Sequence, residues 1–175
     1  VERQEEGLKA IEYPGVQSVQ VIYNVFRQRP AELLFSEAKR RKVGILARVP
    51  LASGLLTGKM TANTTFEADD HRQFNRKGEA FDVGETFSGI PYELGLQLVE
   101  ELRPLVPAGA SLAAFALRWI LMNDAVTCAI PGAKTPDQVE GNANAALLPP
   151  LSAETMQRVR DLYEAKVKPL VHQRW

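Results

Sequence analysis

The sequence predicts an α/β protein that forms the C-terminal portion of a (β/α)8 TIM barrel, with the first strands missing from this chain. Three short runs of aliphatic and β-branched residues are typical of strands, and helical patterns separate them. Each run is apolar on both faces, which is typical of parallel strands that are covered on both sides. A complete barrel takes about 250 residues, whereas this chain has 175. We therefore interpret residues 1–175 as a single partial domain.

Composition limits the classes of partner. The chain is 45% hydrophobic, and its 21 basic and 21 acidic residues give a formal net charge of zero. This balance argues against nucleic-acid binding, and no apolar run approaches the roughly 20 residues that span a bilayer, so we expect no membrane partner. Cys128 is the only cysteine, which excludes an intrachain disulfide and fits a reducing, cytoplasmic location. The first residues are too charged for a signal peptide, and the absence of an initiator Met indicates that the true N-terminus is missing.

The first part of the chain predicts a βαβ unit. The expected elements are an exposed helix over residues 2–13, a strand over 19–25, a helix over 30–42 and a second strand over 43–49. The helix over 30–42 should turn Leu33, Leu34 and Ala38 inward. The short link between helix and second strand favours a parallel pair with a right-handed crossover.

The rest of the chain predicts a long loop, four helices and one strand. Residues 61–88 are polar, carry several aromatic side chains and lack a clear period, so they are expected to form a binding loop near the substrate and cofactor face. The remaining elements are helices over 91–105 and 111–122, a strand over 126–130, a helix that Thr135 caps and Pro136 opens, and a last helix that Ser152 caps.

Residues 44–60 contain the first candidate anion site. The strand breaks at Pro50 into a loop of small residues, and Lys59 follows. Such a loop can present backbone N–H groups to a phosphate. A P-loop is excluded, because only three residues separate Gly54 from Gly58 and Met60 follows the lysine. No GxGxxG occurs either, which argues against a Rossmann fold. The alternative is that the glycines only make a turn and Lys59 is solvated.

The second candidate anion site is Gly132-Ala133-Lys134-Thr135, which follows the third predicted strand and opens a helix. A helix N-terminus carries free N–H groups and a partial positive charge, and Lys134 adds a full charge. A plain strand-to-helix turn is the alternative for this site alone. Two such sites after successive strands suit a dinucleotide better than a single phosphate. Gln20 and Arg48 are polar residues in otherwise apolar strands, and each needs a partner in the core or on a ligand.

No catalytic or metal-binding constellation is evident. His71 and His172 have no Cys, His or Asp neighbours at metal spacing, and Cys128 is expected to be a small core residue. No GxSxG nucleophile motif is present. The predicted catalytic and metal-binding sets are therefore both empty.

Taken together, three motifs resemble the aldo-keto reductase family, of the bacterial type. These are QVIYN at residues 20–24, RVPLASGLLTGK at residues 48–59 and IPGAKTPDQVEGN at residues 130–142. The resemblance covers essentially the whole chain and corresponds to the C-terminal half of the family's barrel. It implies that the Asp, Tyr, Lys and His catalytic tetrad belongs to the other half, so Tyr13 and Tyr23 should not take that role.

The same resemblance implies an NADPH site without a Rossmann fold. Gln20 would hold the nicotinamide carboxamide, and Arg48 stands where many members have an aromatic residue that stacks on the ring. A guanidinium can also stack. The pyrophosphate would contact Leu51 and Ser53, with Lys59 nearby. The 2′-phosphate end would contact Gly132, Lys134 and Gln138, and the adenine would contact Asn142.

The expected function is NADPH-dependent reduction of small aldehydes or ketones, with this chain supplying the cofactor-binding half and inactive alone. The loop over residues 61–88 would form part of the substrate rim through Phe66, Phe74, Phe81 and Phe87. Two alternatives remain, a non-catalytic NADPH-binding or regulatory module and a half-barrel that closes its sheet by pairing with itself.

Overall fold

Three parallel strands form one sheet in the order β1–β2–β3. The computed structural model describes residues 1–175 and places β1 at Ser18–Ile22, β2 at Gly44–Arg48 and β3 at Val126–Ala129. The β1–β2 pairing runs without a break, whereas the β2–β3 pairing shifts by one residue after Ile45. All three carboxyl ends meet at one edge of the sheet, so the loops that follow them are neighbours.

The chain forms eight helices, of which six follow the predicted order, one lies within the predicted loop over residues 61–88 and one follows the predicted last helix. They are α1 Gln4–Ala10, α2 Leu34–Arg41, α3 His71–Phe74, α4 Tyr92–Leu102, α5 Leu112–Leu121, α6 Pro136–Asn144, α7 Ala153–Leu162 and α8 Lys168–Val171. A π-helical turn, Tyr163–Val167, joins α7 to α8. None of the helices is long and apolar enough to cross a membrane.

Two element boundaries differ from the predicted ones for local reasons. The first strand ends at Ile22 because Asn24 and Arg27 pair with each other, through N–H···O bonds of 3.2 and 2.9 Å, and turn the chain. Helix α2 starts at Leu34 because Pro30 lies in a separate 3-10 turn. Leu33 is 48% exposed, so its predicted inward position was wrong.

The predicted helix caps are confirmed. The Gln138 N–H donates to Thr135 Oγ at 3.3 Å, and the Thr155 N–H donates to Ser152 Oγ at 3.1 Å. Because each cap satisfies an N–H that the helix leaves free, it fixes where α6 and α7 begin.

The core lies on one face of the sheet only. Val19, Val21, Ile45 and Ala47 are buried in the main apolar cluster. Most of the residues that alternate with them are exposed or half-buried, and Gln20 is exposed, whereas Ile22 at the end of β1 is buried outside this cluster. The expectation that both faces are covered is therefore not met within this chain. In a closed barrel, this uncovered face would point to the interior.

Candidate cofactor-binding site

The loop that follows β2, residues 49–54 (the β2 loop), has a strained backbone. Val49, Ala52, Ser53 and Gly54 have φ angles of 50°, 48°, 55° and 98°. A left-handed conformation costs roughly 1–2 kcal/mol for a residue that carries a Cβ, and the β-branched Val49 is the most unusual of the four. Such strain concentrates at ligand-binding and active sites, where the surrounding structure holds it.

A second left-handed turn packs against the first. It consists of Phe87, Ser88 and Gly89, with φ angles of 52°, 60° and 80°. The Phe87 N–H donates to Ser53 Oγ at 3.0 Å, and that hydroxyl donates to the Glu85 carbonyl at 3.2 Å. These bonds attach the end of the long loop (residues 61–88) to the β2 loop.

Asn24 connects both turns to the sheet. Its side-chain amide donates to the Val49 carbonyl at 2.9 Å and to Ser88 Oγ at 2.8 Å, and its own Oδ1 accepts from the Phe26 N–H at 2.9 Å. Asn24 is completely buried. All of its amide atoms are thus engaged, and it fixes the two turns relative to the end of β1.

Arg48, at the end of β2, is paired with Glu85 of the long loop. Both Nη atoms donate to the two carboxylate oxygens in a bidentate arrangement. The hydrogen bonds that Arg48 donates to the Glu85 carboxylate raise the pKa of Arg48. The two side chains are 20% and 22% exposed, so the pair is largely sheltered from water. The predicted ring-stacking residue is therefore already held by an acidic partner.

The long loop contacts the β2 loop through another arginine as well. Arg72 donates to the Ser53 carbonyl at 3.4 Å and stacks on the Phe66 ring at 4.6 Å from its centroid. Asp70 accepts from the same guanidinium and caps α3 through the Arg72 N–H at 2.9 Å. The predicted loop contains one short helix and two 3-10 turns.

The second predicted anion site lies after β3. The N–H groups of Gly132, Ala133 and Thr135 donate to no protein acceptor, and all three residues are exposed. The Lys134 N–H donates to Gln138 Oε1 at 2.6 Å, so the predicted Gln138 side chain folds back toward this turn. Backbone donors and a cation thus lie together at the N-terminus of α6.

Two adjoining depressions flank this turn. One of about 490 Å³ is lined by Ala133, Lys134, Thr135, Pro136, Val139 and Glu140. The other, of about 390 Å³, is mainly apolar and includes Cys128, Asn142 and the α5 residues Leu117 and Leu121. Asn142 Nδ2 donates to the Gly132 carbonyl at 3.4 Å. Cys128 is only half-buried and lines this depression, so the expectation that it is a core residue was wrong.

Three predicted side chains have no protein partner. Gln20, Lys59 and Lys134 are exposed, and each makes hydrogen bonds through its backbone only. The Leu51 N–H also donates to no protein acceptor. The predicted residues thus fall into two sets. The side chains of Gln20, Lys59 and Lys134 are free, and a ligand could bind them directly, whereas those of Arg48, Ser53, Gln138 and Asn142 already bond to protein groups.

The tyrosines and histidines do not form an acid–base site. Tyr23 is 4% exposed, and burial raises its pKa to about 12. A proton donor that works near neutral pH needs the opposite shift. Tyr13 is 60% exposed. His172 Nδ1 lies 2.9 Å from the Tyr163 hydroxyl, and no group of three or more His, Cys, Asp or Glu is arranged to hold a metal ion.

Sequence reasoning missed Asn24, Glu85 and Ser88 as partners of the site. Asn24 directly follows a strand end, a position where loops carry functional residues, and this signal could have identified it. Glu85 and Ser88 lie in a stretch without periodicity, and nothing in their local sequence indicates their partners.

The chain belongs to the Aldo/keto reductase family, whose model matches residues 3–164. Members of this family are oxidoreductases that generally use NAD(P)H. The resemblance seen in the three motifs is thereby confirmed.

Individual relatives agree with this assignment. The chain is 34% identical to the aldo-keto reductase YhdN of Bacillus subtilis over 125 residues, which is 70% of this chain and 35% of that protein. It is 26% identical over 153 residues to a probable voltage-gated potassium channel subunit beta of Arabidopsis thaliana, covering 83% of this chain and 43% of that protein. The structure of the glycerol dehydrogenase AKR11B4 from Gluconobacter oxydans superimposes with a TM-score of 0.68 and 30% identity, covering 86% of this chain and 43% of that one.

The chain spans between about a third and a half of the length of these relatives. With three parallel strands and their helices, it forms part of the TIM barrel that its structural relatives complete. The predicted fold class is confirmed.

Proposed function

We propose that this chain forms the cofactor-binding half of an NADPH-dependent reductase that converts small aldehydes or ketones to alcohols. The family assignment supports an oxidoreductase. The choice of NADPH, the division of labour between the two halves and the roles of single residues are implied by the family resemblance, and the features of the site described below support them.

The observation that carries the proposal is the set of unpartnered donors at one edge of the sheet. After β2 these are the Leu51 N–H and the Lys59 ammonium, and after β3 they are the N–H groups around Lys134. Free backbone donors and cations favour anionic ligands. Because β2 and β3 are adjacent, two anion sites at their carboxyl ends suit one extended ligand with phosphates at two points.

The residues after β1 and β2 fit the nicotinamide end and the pyrophosphate. Gln20 has a free amide on the uncovered face of the sheet, which can bond a carboxamide. Arg48 offers a flat guanidinium to the ring, and Leu51 and Ser53 lie in the loop that would wrap the pyrophosphate, with Lys59 nearby. When bound, the cofactor supplies the hydride that reduces the carbonyl carbon.

The residues after β3 fit the adenosine end. Gly132, Lys134 and Gln138 would hold the 2′-phosphate, and Asn142 would contact the adenine. The depression lined by Lys134 and Thr135 adjoins the apolar one that contains Asn142, which matches a charged group next to a flat ring.

We assign fewer phenylalanines to the substrate rim than the sequence predicts. Phe66 and Phe87 pack against Tyr92 and are engaged within the long loop. Phe74 and Phe81 stand edge to face, with centroids 6.1 Å apart, and are 41% and 42% exposed. Of the four predicted phenylalanines, we assign only this exposed pair to the substrate rim.

The proposal is tested by comparing this chain with the full-length protein that contains it. The full-length protein, mixed with NADPH and a panel of aldehydes and ketones, should show loss of the nicotinamide absorbance. Residues 1–175 alone should show none, because the chain contributes no proton donor. Turnover by the isolated chain, or none by the full-length protein on any carbonyl, would contradict the proposal.

A second candidate is an NADPH-binding module whose role is regulatory. The similarity to a probable voltage-gated potassium channel subunit beta favours it, since that name describes a channel subunit and not an enzyme. NADPH binding by the full-length protein without reduction of any carbonyl would support this candidate. A self-pairing half-barrel is the third, favoured by the uncovered face around Gln20. A dimer of the isolated chain in sedimentation would support it.

A further inference from the structure

Trp175, four residues after the end of α8, packs on the end of the long loop, 93 positions from Asp82 in sequence. Its side chain is 4% exposed, and its indole N–H donates to Asp82 Oδ1 at 2.9 Å. Asp82 also accepts from the Gly84 N–H at 2.7 Å. One carboxylate oxygen thus joins the indole to the backbone of residues 82–89 (the 82–89 segment).

Two glycines let the indole lie directly on this backbone. A Cβ on Gly84 would come within 2.7 Å of the Trp175 ring, and a Cβ on Gly89 would come within 2.6 Å. Gly89 also has a φ of +80°, which L side chains rarely adopt. No other residue type fits beneath the ring without displacing it, so the contact is specific to this pair of glycines.

Arg27 stacks on the indole. Its guanidinium carbon lies 3.8 Å from the centre of the Trp175 ring, and the residue is 2% exposed. Its Nη1 has no hydrogen-bond partner, and burial lowers the pKa of Arg27 to about 10. A buried cation with an unpaired donor is costly. The stability of the fold therefore does not explain why Arg27 is buried, whereas the cation–π contact with Trp175 gives its guanidinium a defined partner.

The 82–89 segment carries the groups that contact the proposed cofactor loop. Glu85 pairs with Arg48, and its carbonyl accepts from Ser53, while Ser88 accepts from Asn24. A continuous path of contacts thus runs from Arg27 and Trp175, through the segment, to the β2 loop.

We propose that Arg27 and Trp175 are positioning residues that hold the 82–89 segment on the β2 loop and thereby slow the release of NADPH. The inference rests on the proposed function, because it takes the β2 loop as the pyrophosphate site. Neither residue belongs to the set assigned to the cofactor, and both act through the 82–89 segment. Their effect should therefore appear in the dissociation rate, because an opened segment leaves Arg48 and Ser53 without their loop contacts.

The experiment measures NADPH dissociation from the full-length protein by rapid mixing with excess NADP⁺. Trp175→Ala removes both the stacking and the indole hydrogen bond, and it should release NADPH about tenfold faster. Trp175→Phe keeps a ring over Arg27 but cannot donate to Asp82, so it should fold normally and release NADPH about threefold faster. In the absence of cofactor, the amide hydrogen exchange rates of Glu85 and Ser88 should be higher in Trp175→Phe than in the wild type, and higher still in Trp175→Ala.

Val159→Ala is the matched control. Val159 is fully buried in α7 and makes no contact of the kind described here, so its truncation lowers stability in the same C-terminal part of the chain. Its NADPH dissociation rate should equal that of the wild type. If Trp175→Ala and Trp175→Phe release NADPH at the wild-type rate, or if Val159→Ala is accelerated as much as they are, the positioning role is refuted while the proposed function stands. If the wild type does not bind NADPH, both are refuted.

Discussion

Lys134→Ala gives the sharpest test of the choice of NADPH over NADH. The Lys134 side chain is exposed and makes no hydrogen bond or ion pair, so its removal leaves no carboxylate without a partner. Its absence should therefore change ligand binding alone, with the unfolding free energy within about 0.5 kcal/mol of the wild type.

The expected change in the Kd for NADPH follows from the charge of its 2′-phosphate. A phosphomonoester carries about −1.5 to −2 charges near neutral pH. A hydrogen bond to a charged group contributes about 1.5–3 kcal/mol, and solvent exposure reduces this to about 1–2 kcal/mol. Since 1.4 kcal/mol is a factor of ten, the Kd for NADPH should rise about 5- to 30-fold. NADH lacks the 2′-phosphate, and its Kd should change less than about twofold.

The assay titrates both cofactors into the full-length protein and follows nicotinamide fluorescence at two salt concentrations. Lys134→Arg keeps the charge and should retain most of the preference for NADPH. Lys59→Ala is the matched control, because Lys59 is equally free of partners but is assigned to the pyrophosphate that both cofactors share. It should weaken both to the same extent. Equal losses of NADPH and NADH in Lys134→Ala would refute the assignment of Lys134 to the 2′-phosphate.

Three further outcomes are expected. Tyr23→Phe should leave carbonyl turnover by the full-length protein within about twofold, because burial raises the Tyr23 pKa to about 12 and excludes it as the proton donor; a loss of about 100-fold would contradict this. Gly89→Ala should lower the denaturation midpoint, since a Cβ would meet the Trp175 ring at 2.6 Å; an unchanged midpoint would contradict the close packing. The hydrogen bonds from Arg72 lower the pKa of Asp70 to about 2, so their stabilisation should be present above about pH 4 and disappear as the pH falls toward 2. In Arg72→Ala, NMR titration should return this pKa to the ordinary aspartate range, and a value still near 2 would show that another group lowers it.

The elements that could be predicted from the sequence are those with local signals. Thr135 and Ser152 cap helices through an N–H only three residues away, so residue type and position suffice. The strand order follows from apolar runs separated by helical patterns. The boundary at Ile22 could not be predicted, because Asn24 and Arg27 close a tight turn within residues that favour a strand.

The contacts that organise the candidate site had no such signals. Arg48 and Glu85 are 37 positions apart, and Trp175 and Asp82 are 93 apart. Each pair joins a residue of the long loop, which has no hydrophobic periodicity, to an element distant in sequence. Residue type alone therefore does not identify the partner. The positive φ angle of Val49 is equally hidden, since a β-branched residue is among the least expected at that conformation.

The Arg48–Glu85 pair gives a physical meaning to the departure of this chain from its family's aromatic residue. A guanidinium offers N–H donors at its edge and flat surfaces on its two faces. Glu85 pairs with the two Nη atoms at the edge, so this pairing does not itself occupy the faces. An aromatic side chain at this position would need no orienting partner, whereas a flexible arginine does. If Arg48 stacks on the nicotinamide as we propose, the carboxylate of Glu85 sets the plane of the stack. The long loop is then part of the cofactor site, because it supplies Glu85, which orients Arg48 at the end of β2 for stacking.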